Sequence, residues 1–230
     1  MCFACRWVGL RLGLPLAPVL PVRLCPLPSP LYAVLMGYKE SPVAEARHRF
    51  APMVRQLFDD FLAGHAPCIA AAADGPVEIA LPVPSTARPI GAPLERLEGL
   101  ARTVRTRLPA ARWSPGLLIR TRAPVGHMRP DAGAFEVPAA VQGVVGGRCA
   151  VLLDDTYVSG ARAQSAAAAL RRAGARGVVV VVLGRVLRPD RVPAHAAFLR
   201  RAHVQPVDRA VGATTPWPCC RCVQTGAGTE

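Results

Sequence analysis

Two adjacent aspartates, Asp154 and Asp155, end an apolar run and are soon followed by the pair Ser159-Gly160 and an alanine-rich segment. Like charges side by side are costly in a folded chain unless cations or hydrogen-bond donors meet them. Carboxylates bind hydroxyl groups or a metal ion, and the backbone N–H groups at the start of a helix bind anions such as phosphate. The pattern therefore predicts a ligand with hydroxyls at one end and a phosphate at the other, as in a ribose 5-phosphate.

A strand, a helix and a second strand are expected to position these residues. The run 149–153 predicts a strand that ends at the acids, and the segment 161–173 predicts a helix that ends at Gly174. A second apolar run, GVVVVVLGR, follows at once. Both runs are continuous rather than alternating, which is typical of strands buried on both faces of a parallel sheet. The expected unit is a right-handed βαβ crossover, with a ligand site beyond the carboxyl ends of its strands.

The rest of the chain extends this α/β pattern. Apolar spacing predicts helices over 47–62 and 94–108 and a further helix over 188–202, and the run 77–83 predicts a strand. The segment GAFEVPAAV is expected to form a short strand or a hairpin edge. We therefore expect three parts, namely an irregular or extended proline-rich segment, an α/β domain with a mostly parallel sheet, and a loose cysteine-containing tail. Their bounds are 1–30, 31–208 and 209–230.

The charge is strongly positive, at a formal +13, and it comes from arginine, because Lys39 is the only lysine. A chain rich in arginine, alanine, glycine and proline is typical of a G+C-biased genome, so nucleic acid remains the weaker explanation of the charge. The single lysine also excludes chemistries. Lys39 lies in the sequence GYKES, which is neither a Walker A loop nor a suitable context for a pyridoxal Schiff base.

The N-terminal apolar residues do not predict a membrane span or a signal peptide. The uncharged stretch 12–22 contains three prolines and is flanked by arginines, whereas a spanning helix needs about 20 mainly apolar residues. We therefore expect a cytoplasmic protein, in which the eight cysteines are thiols or metal ligands rather than disulfides.

The order of apolar run, two acids, short gap, Ser-Gly and helix resembles the phosphoribosyl-pyrophosphate (PRPP) motif of type I phosphoribosyltransferases. Three other segments resemble the ComF-type, amidophosphoribosyltransferase-like branch of that family, namely LYAVLMGYKES, ALPVPSTARP and LLIRTRAPVGHMRPDAGAFEV. Together these similarities cover roughly residues 31–188.

The resemblance implies a type I phosphoribosyltransferase-like fold with a small variable hood, and Mg²⁺-dependent transfer of a phosphoribosyl group from PRPP to a nitrogen acceptor. It implies that Asp154 and Asp155 hold the ribose hydroxyls with Mg²⁺ nearby. The residues implied for the 5-phosphate are Thr156, Tyr157, Val158, Ser159, Gly160, Ala161 and Arg162. Those implied for the pyrophosphate are Val83, Pro84, Ser85 and Thr86. Leaving-group residues on a mobile loop would be Arg120, Arg122 and Arg129, with His127 as a weaker acid–base candidate.

The phosphate loop departs from the family pattern, which commonly reads Thr-Thr-Gly-x-Thr. This chain has Val158 at the first of these positions and Arg162 at the last. Arg162 either replaces the lost hydroxyl with a bidentate phosphate donor or points to solvent. Two other functions therefore stay open, namely a non-catalytic regulatory protein that keeps the fold, and an accessory factor for DNA uptake.

Cysteines near both ends of the chain offer a possible zinc site. Cys2 and Cys5 precede the domain, and Cys219 and Cys222 follow it. Four thiolates bind one structural Zn²⁺ if the two ends meet. The alternative is a set of thiols on a loose tail. Cys68 and Cys149 lie in apolar surroundings and are expected to be small core residues.

Overall fold

The computed structural model describes residues 3–40, 44–84, 99–126 and 128–201. The strands in these ranges are β1 (Val19–Pro26), β2 (Val77–Pro82), β3 (Arg112–Trp113), β4 (Ile119–Arg120), β5 (Phe135–Glu136), β6 (Cys149–Tyr157) and β7 (Gly177–Leu187). Among these residues the main sheet has five strands in the order β1-β7-β6-β2-β3, and all its neighbours pair in parallel. β4 and β5 form a separate antiparallel pair.

The α-helices of the described residues are α1 (Phe3–Leu12), α2 (Pro30–Glu40), α3 (Ala44–Ala72), α4 (Leu100–Arg107), α5 (Gln142–Val145), α6 (Ala161–Arg172) and α7 (Pro193–Arg201). A short 3₁₀ turn, Ala139–Val141, precedes α5. Helices and the strands of the parallel sheet follow one another along the chain, so the protein has the α/β architecture that the sequence predicts. Within the described residues, no helix combines the length and the apolar character that crossing a membrane requires.

The central strands β6 and β7 are buried on both faces. Val151 and Leu153 of β6 belong to a core cluster with Phe58 of α3 and residues of α2 and α4. Leu152, which points to the other face, belongs to a second cluster with Leu170 of α6. This two-sided burial confirms the interpretation of the continuous apolar runs as strands of a parallel sheet.

Helix α6 is itself packed on two sides, which explains its alanines. Residues 163–170 are all buried, and five of them, Ala163, Ala166, Ala167, Ala169 and Leu170, belong to the apolar cluster on the sheet. On the outer side, Ser165 Oγ accepts a hydrogen bond from Asp131 N at 3.0 Å, and Ala161 contacts Val8 and Leu12 of α1. A helix held between two layers needs small side chains, because close-packed interiors tolerate little extra volume.

The N-terminal segment 1–30 differs from the prediction of irregular backbone. It contains α1 and also β1, which is extended as expected but pairs with β7 as the edge strand of the main sheet. The prolines Pro21 and Pro26 are compatible with β1 because an edge strand can leave an N–H position unpaired. Residues 3–26 are therefore part of the same folded unit as the sheet.

The other predicted helices and strands are present in the structure, and they differ from the observed ones mainly in where they begin and end. The predicted helix 47–62 is the central part of α3, which continues to Ala72 past two prolines. The predicted strand 149–153 extends through both aspartates to Tyr157. α6 and β7 confirm the predicted crossover, and helix 188–202 begins only at Pro193. Of the predicted helix 94–108, only α4 lies within the described residues, and the tail 209–230 lies outside them. Residues 31–40 and 44–70 form most of α2 and α3, which cover one face of the sheet.

Gln164 of α6 joins the N-terminal segment to the domain. Its side chain is 2% exposed, accepts a hydrogen bond from Ala17 N at 2.8 Å and donates one to Ala17 O at 3.0 Å. We expect Gln164→Ala to lower the free energy of unfolding by about 2–4 kcal/mol, because it leaves two buried backbone groups without partners. Denaturant unfolding monitored by circular dichroism measures this loss.

The matched control is Gln142→Ala, since Gln142 is exposed in α5. We expect this change to stay within about 0.5 kcal/mol of the parent protein. Equal stabilities for the two variants would show that the Ala17 contacts do not hold the N-terminal segment.

Candidate functional site

The candidate site lies where the direction of the chain connections reverses. From β2 the chain crosses through α4 to β3 on one side, and from β6 it crosses through α6 to β7 on the other. The helices α4 and α6 pack on opposite faces of the sheet. The carboxyl ends of β2 and β6 therefore flank a topological switch point, the place where open α/β sheets bind ligands.

The acid pair stands on β6 at this point. Asp154 is 5% exposed and Asp155 is half-buried. Successive residues of a strand point to opposite faces, so the two carboxylates are separated by the strand itself. Asp154 lies toward α6, since it contacts Arg162 of that helix, and alternation along the strand places Asp155 toward the other face. This alternation explains how two like charges can be neighbours at the end of a buried strand.

Arg162, the second residue of α6, meets the buried acid. Its Nη2 donates to Asp154 Oδ1 at 3.3 Å, and the same oxygen accepts a hydrogen bond from Asp155 N at 2.9 Å. The carboxylate of Asp154 raises the pKa of Arg162 above its usual value, against the opposing effect of burial. The structure thus gives Arg162 a contact that neither sequence interpretation included, namely an ion pair with the buried carboxylate of Asp154.

The turn between β6 and α6 is closely packed. Gly160 has φ +82°, a backbone conformation that favours glycine, and Ser159 Oγ accepts a hydrogen bond from Ala161 N at 3.2 Å. Tyr157 is 3% exposed, and a Cβ atom at Gly160 would overlap its phenol ring. Ser159 and Gly160 are buried, whereas Val158 is exposed. Ligand access to the predicted phosphate loop is therefore at Val158 and at the partly exposed guanidinium of Arg162.

Thr156 presents a polar atom suited to a ligand. Its Oγ1 is buried and has no hydrogen-bond partner among the residues that the structure describes. Buried hydroxyls nearly always have a partner, so an exception at a candidate site is consistent with a ligand or water contact. Thr156 pairs in register with Gly184 of β7, directly after the acid pair.

The predicted pyrophosphate loop begins beside the acids. Val83 N donates to Leu153 O at 2.9 Å, and both Val83 and Pro84 are buried. The structure therefore brings these two residues next to the start of the acid pair. Ser85 and Thr86 lie outside the described residues, as does His127.

The predicted leaving-group arginines lie around the small β4–β5 pair. Arg120 is half-buried in β4, and Arg122 and Arg129 are exposed. The turn between the two strands is held by a bridge between Gly126 and Arg129, and Trp7 Nε1 of α1 donates to Met128 O at 3.1 Å. α1 therefore supports this turn as well as the start of α6, a role that the proline-rich N-terminal sequence did not indicate.

The proposed zinc ligands fall mostly outside the described residues. Cys2, Cys219 and Cys222 lie there, while Cys5 is partly exposed on α1. The described part of the chain has no group of three or more His, Cys, Asp and Glu residues placed to hold a metal ion.

The internal cysteines are core residues to different degrees. Cys25 of β1 is buried, and burial raises the pKa of its thiol to about 12, opposed in part by a hydrogen bond with Ser29. Cys149 is buried as predicted, and Cys68 is half-buried.

Comparison of the chain with protein-family models gave no match, and comparison with curated proteins gave none either. The class that fold and site together define is an α/β protein with a five-stranded parallel sheet and an acid pair at its switch point.

The contact between Gly160 and Tyr157 can be tested by substitution. We expect Gly160→Ala to lower the free energy of unfolding by about 2–4 kcal/mol, because the left-handed backbone and the overlap with the Tyr157 ring both disfavour a methyl group. Adding Tyr157→Ala should reduce the cost of the glycine substitution, and a double-mutant cycle measured by denaturant unfolding gives this coupling.

Gly143→Ala is the matched control. Gly143 lies in α5, and nothing lies within 4 Å of a Cβ atom placed there. We expect no loss of stability, or a gain of up to about 1 kcal/mol from the better helix former. If Gly160→Ala costs the same with and without the Tyr157 ring, the ring does not shape the turn.

Proposed function

We propose that the protein binds the ribose-phosphate part of PRPP at the carboxyl end of β6 and transfers a phosphoribosyl group to a nitrogen acceptor. The fold would then be that of a type I phosphoribosyltransferase of the ComF-type branch. One observation carries this proposal, which is the position of Asp154 and Asp155 at the switch point, directly before a glycine turn that leads into α6.

The ribose hydroxyls would lie on the side of Asp155, the more exposed of the two acids. Asp155 offers carboxylate oxygens on this side, whereas the buried hydroxyl of Thr156, which has no partner among the described residues, lies on the side of Asp154 by the same alternation. Mg²⁺ fits this donor set, since it is commonly held by one or two carboxylates together with substrate phosphates. When bound, Mg²⁺ would supply positive charge to the pyrophosphate oxygens. A carboxylate beside the ribose ring would stabilise the positive charge that develops there during transfer.

The 5-phosphate would approach the turn at Val158 and meet Arg162. The amide of Ala161 already bonds Ser159 Oγ, so the turn offers fewer open donors than a simple anion cradle would. Arg162 compensates for this, because a guanidinium forms strong bidentate hydrogen bonds to phosphate. In this proposal Arg162 bonds Asp154 in the ligand-free protein and its guanidinium also contacts the phosphate when the ligand binds.

The pyrophosphate would lie between the start of the loop at Val83 and the arginines around β4. Arg120, Arg122 and Arg129 would stabilise the departing charge in this proposal, and ordering of their turn over the site would exclude water. Exclusion of water matters because water competes with the nitrogen acceptor for the ribose carbon.

A second candidate function is ligand binding without catalysis, as in a regulatory protein that keeps this fold. The ion pair between Arg162 and Asp154 favours it, because a neutralised carboxylate stabilises a developing positive charge less well. A pyrophosphate-release assay with a panel of nucleobases and amines separates the two. Binding of PRPP without pyrophosphate release on any acceptor supports the second candidate.

Isothermal titration with PRPP in the presence and absence of Mg²⁺ tests the proposed site. We expect Mg²⁺-dependent binding to the parent protein, and an affinity at least about tenfold lower for Asp155→Asn, because the substitution removes a charged hydrogen-bond acceptor.

Asp190→Asn is the matched control, since Asp190 is exposed after β7 and its substitution changes the net charge equally. Its affinity for PRPP should equal that of the parent protein. Unchanged affinity in Asp155→Asn, or a parent protein that does not bind PRPP, would rule out the proposed site.

A further inference from the structure

A cavity lined by three exposed arginines lies between α3 and α4. Its volume is about 390 Å³. The residues that line it are Arg55 of α3 and Gly99, Ala101, Arg102, Thr103 and Arg105 in and before α4. The cavity thus combines three cations with one hydroxyl side chain and small residues.

The same helix pair contains an arginine that is neutralised. Arg107 of α4 donates from Nε and Nη2 to the two carboxylate oxygens of Asp59 on α3, at 3.1 and 2.6 Å. This contact lowers the pKa of Asp59 below its usual value. Asp59 therefore binds Arg107 at the last turn of α4, a position where the helix dipole already favours a cation.

The arginines of the cavity differ from Arg107, which has an acidic partner. Within the described residues, Arg55, Arg102 and Arg105 have no acidic partner at ion-pair distance. The three arginines are exposed and line one cavity, so an anion placed there would contact more than one guanidinium group. Among the described residues, the local charge pattern therefore leaves room for an anionic ligand.

We infer that this cavity is a binding site for a phosphate group. Arginine matches the planar pairs of oxygens on phosphate and forms bidentate hydrogen bonds with them. The volume lies near the lower end of the range for ligand pockets, which suits a single phosphate or a small phosphate ester. Thr103 adds a hydroxyl, which donates to phosphate oxygens.

Gly99 helps to place one of these cations. A Cβ atom at Gly99 would come within 3.2 Å of Cδ of Arg55, closer than ordinary van der Waals contact. The absence of a side chain there lets Arg55 of α3 lie across the start of α4. The cavity is thus formed by two elements that pack on each other, and not by one flexible surface segment.

The phosphate site is distinct from the acid-pair site. None of the residues that line the cavity belongs to the acid-pair site. The inference therefore does not depend on the proposed phosphoribosyl transfer. Phosphate of two sources fits this chemistry, namely a small phosphate ester and the backbone of a nucleic acid.

Titration with inorganic phosphate at low ionic strength, followed in ¹⁵N–¹H spectra, tests the inference. We expect saturable shifts in the amide signals of residues 99–105, and dissociation constants raised about fivefold or more in Arg55→Ala and in the double variant Arg102→Ala/Arg105→Ala. Arg102→Lys should weaken binding less than Arg102→Ala, because it keeps the charge and loses only the bidentate geometry.

The matched control is Arg49→Ala, which removes an exposed arginine of the same helix α3 outside the cavity. It should bind phosphate within about twofold of the parent protein, since distant exposed charges are screened. Asp155→Asn should also keep phosphate binding here, so failure of the proposed transferase activity and failure of this inference are distinguishable. Thermal unfolding of each variant checks that the fold is kept.

A parallel titration with a short oligothymidylate identifies the source of the phosphate. Binding of inorganic phosphate alone, sensitive to the cavity arginines, indicates a small phosphate ester. Oligonucleotide binding with the same sensitivity indicates a nucleic-acid backbone. Shifts that avoid residues 99–105, or equal affinities in the cavity variants and Arg49→Ala for both probes, overturn the inference.

Discussion

The carboxylate of Asp154 is buried at the end of a strand that is apolar on both faces, and such a charge is stable only with a cation beside it. Arg162 supplies that cation from the first turn of α6. For the guanidinium to reach the carboxylate, the chain must reverse within the few residues between β6 and α6. The reversal requires the left-handed backbone of Gly160 and the close packing of Tyr157 against it. The ion pair, the turn and the direction of α6 therefore depend on one another.

Helix α6 keeps this geometry because it cannot move away from the sheet. Between Ala161 and Leu170, Arg162 is the residue that is not buried, and its neighbours are mostly alanines between the sheet and an outer layer. That outer layer consists of α1 and the segment around β5, joined through Trp7 and through Ser165. The N-terminal helix thus supports the site from outside. Its contribution is mechanical, since it fixes the start of α6 rather than offering groups to a ligand.

The central crossover could be predicted from the sequence. Gly174 marks the end of the helix, and the continuous apolar run that follows has few possible structures other than a buried strand. β1 could not be predicted, because its prolines indicate irregular backbone unless the strand is known to lie at a sheet edge. The predicted helix 47–62 stops ten residues before the end of α3 at Ala72, and Pro67, which lies in that missing part, is exposed and does not end the helix. The pairing of Arg162 with Asp154 depends on how a strand and a helix meet across eight residues. Spacing along the chain does not contain that information.

The composition gives the number of arginines, but only the structure shows where they lie and which groups they contact. Many described arginines have local partners, since Arg148 and Arg191 pair with acids, Arg171 and Arg172 bond backbone carbonyls, and Arg185 stacks on Tyr157 and Phe198. A compositional bias alone would scatter the remaining arginines over the surface. Arg55, Arg102 and Arg105 instead converge on one cavity, beside an interface where Arg107 is neutralised. Convergence of this kind is what the inferred phosphate site requires, because several guanidinium groups must reach one anion.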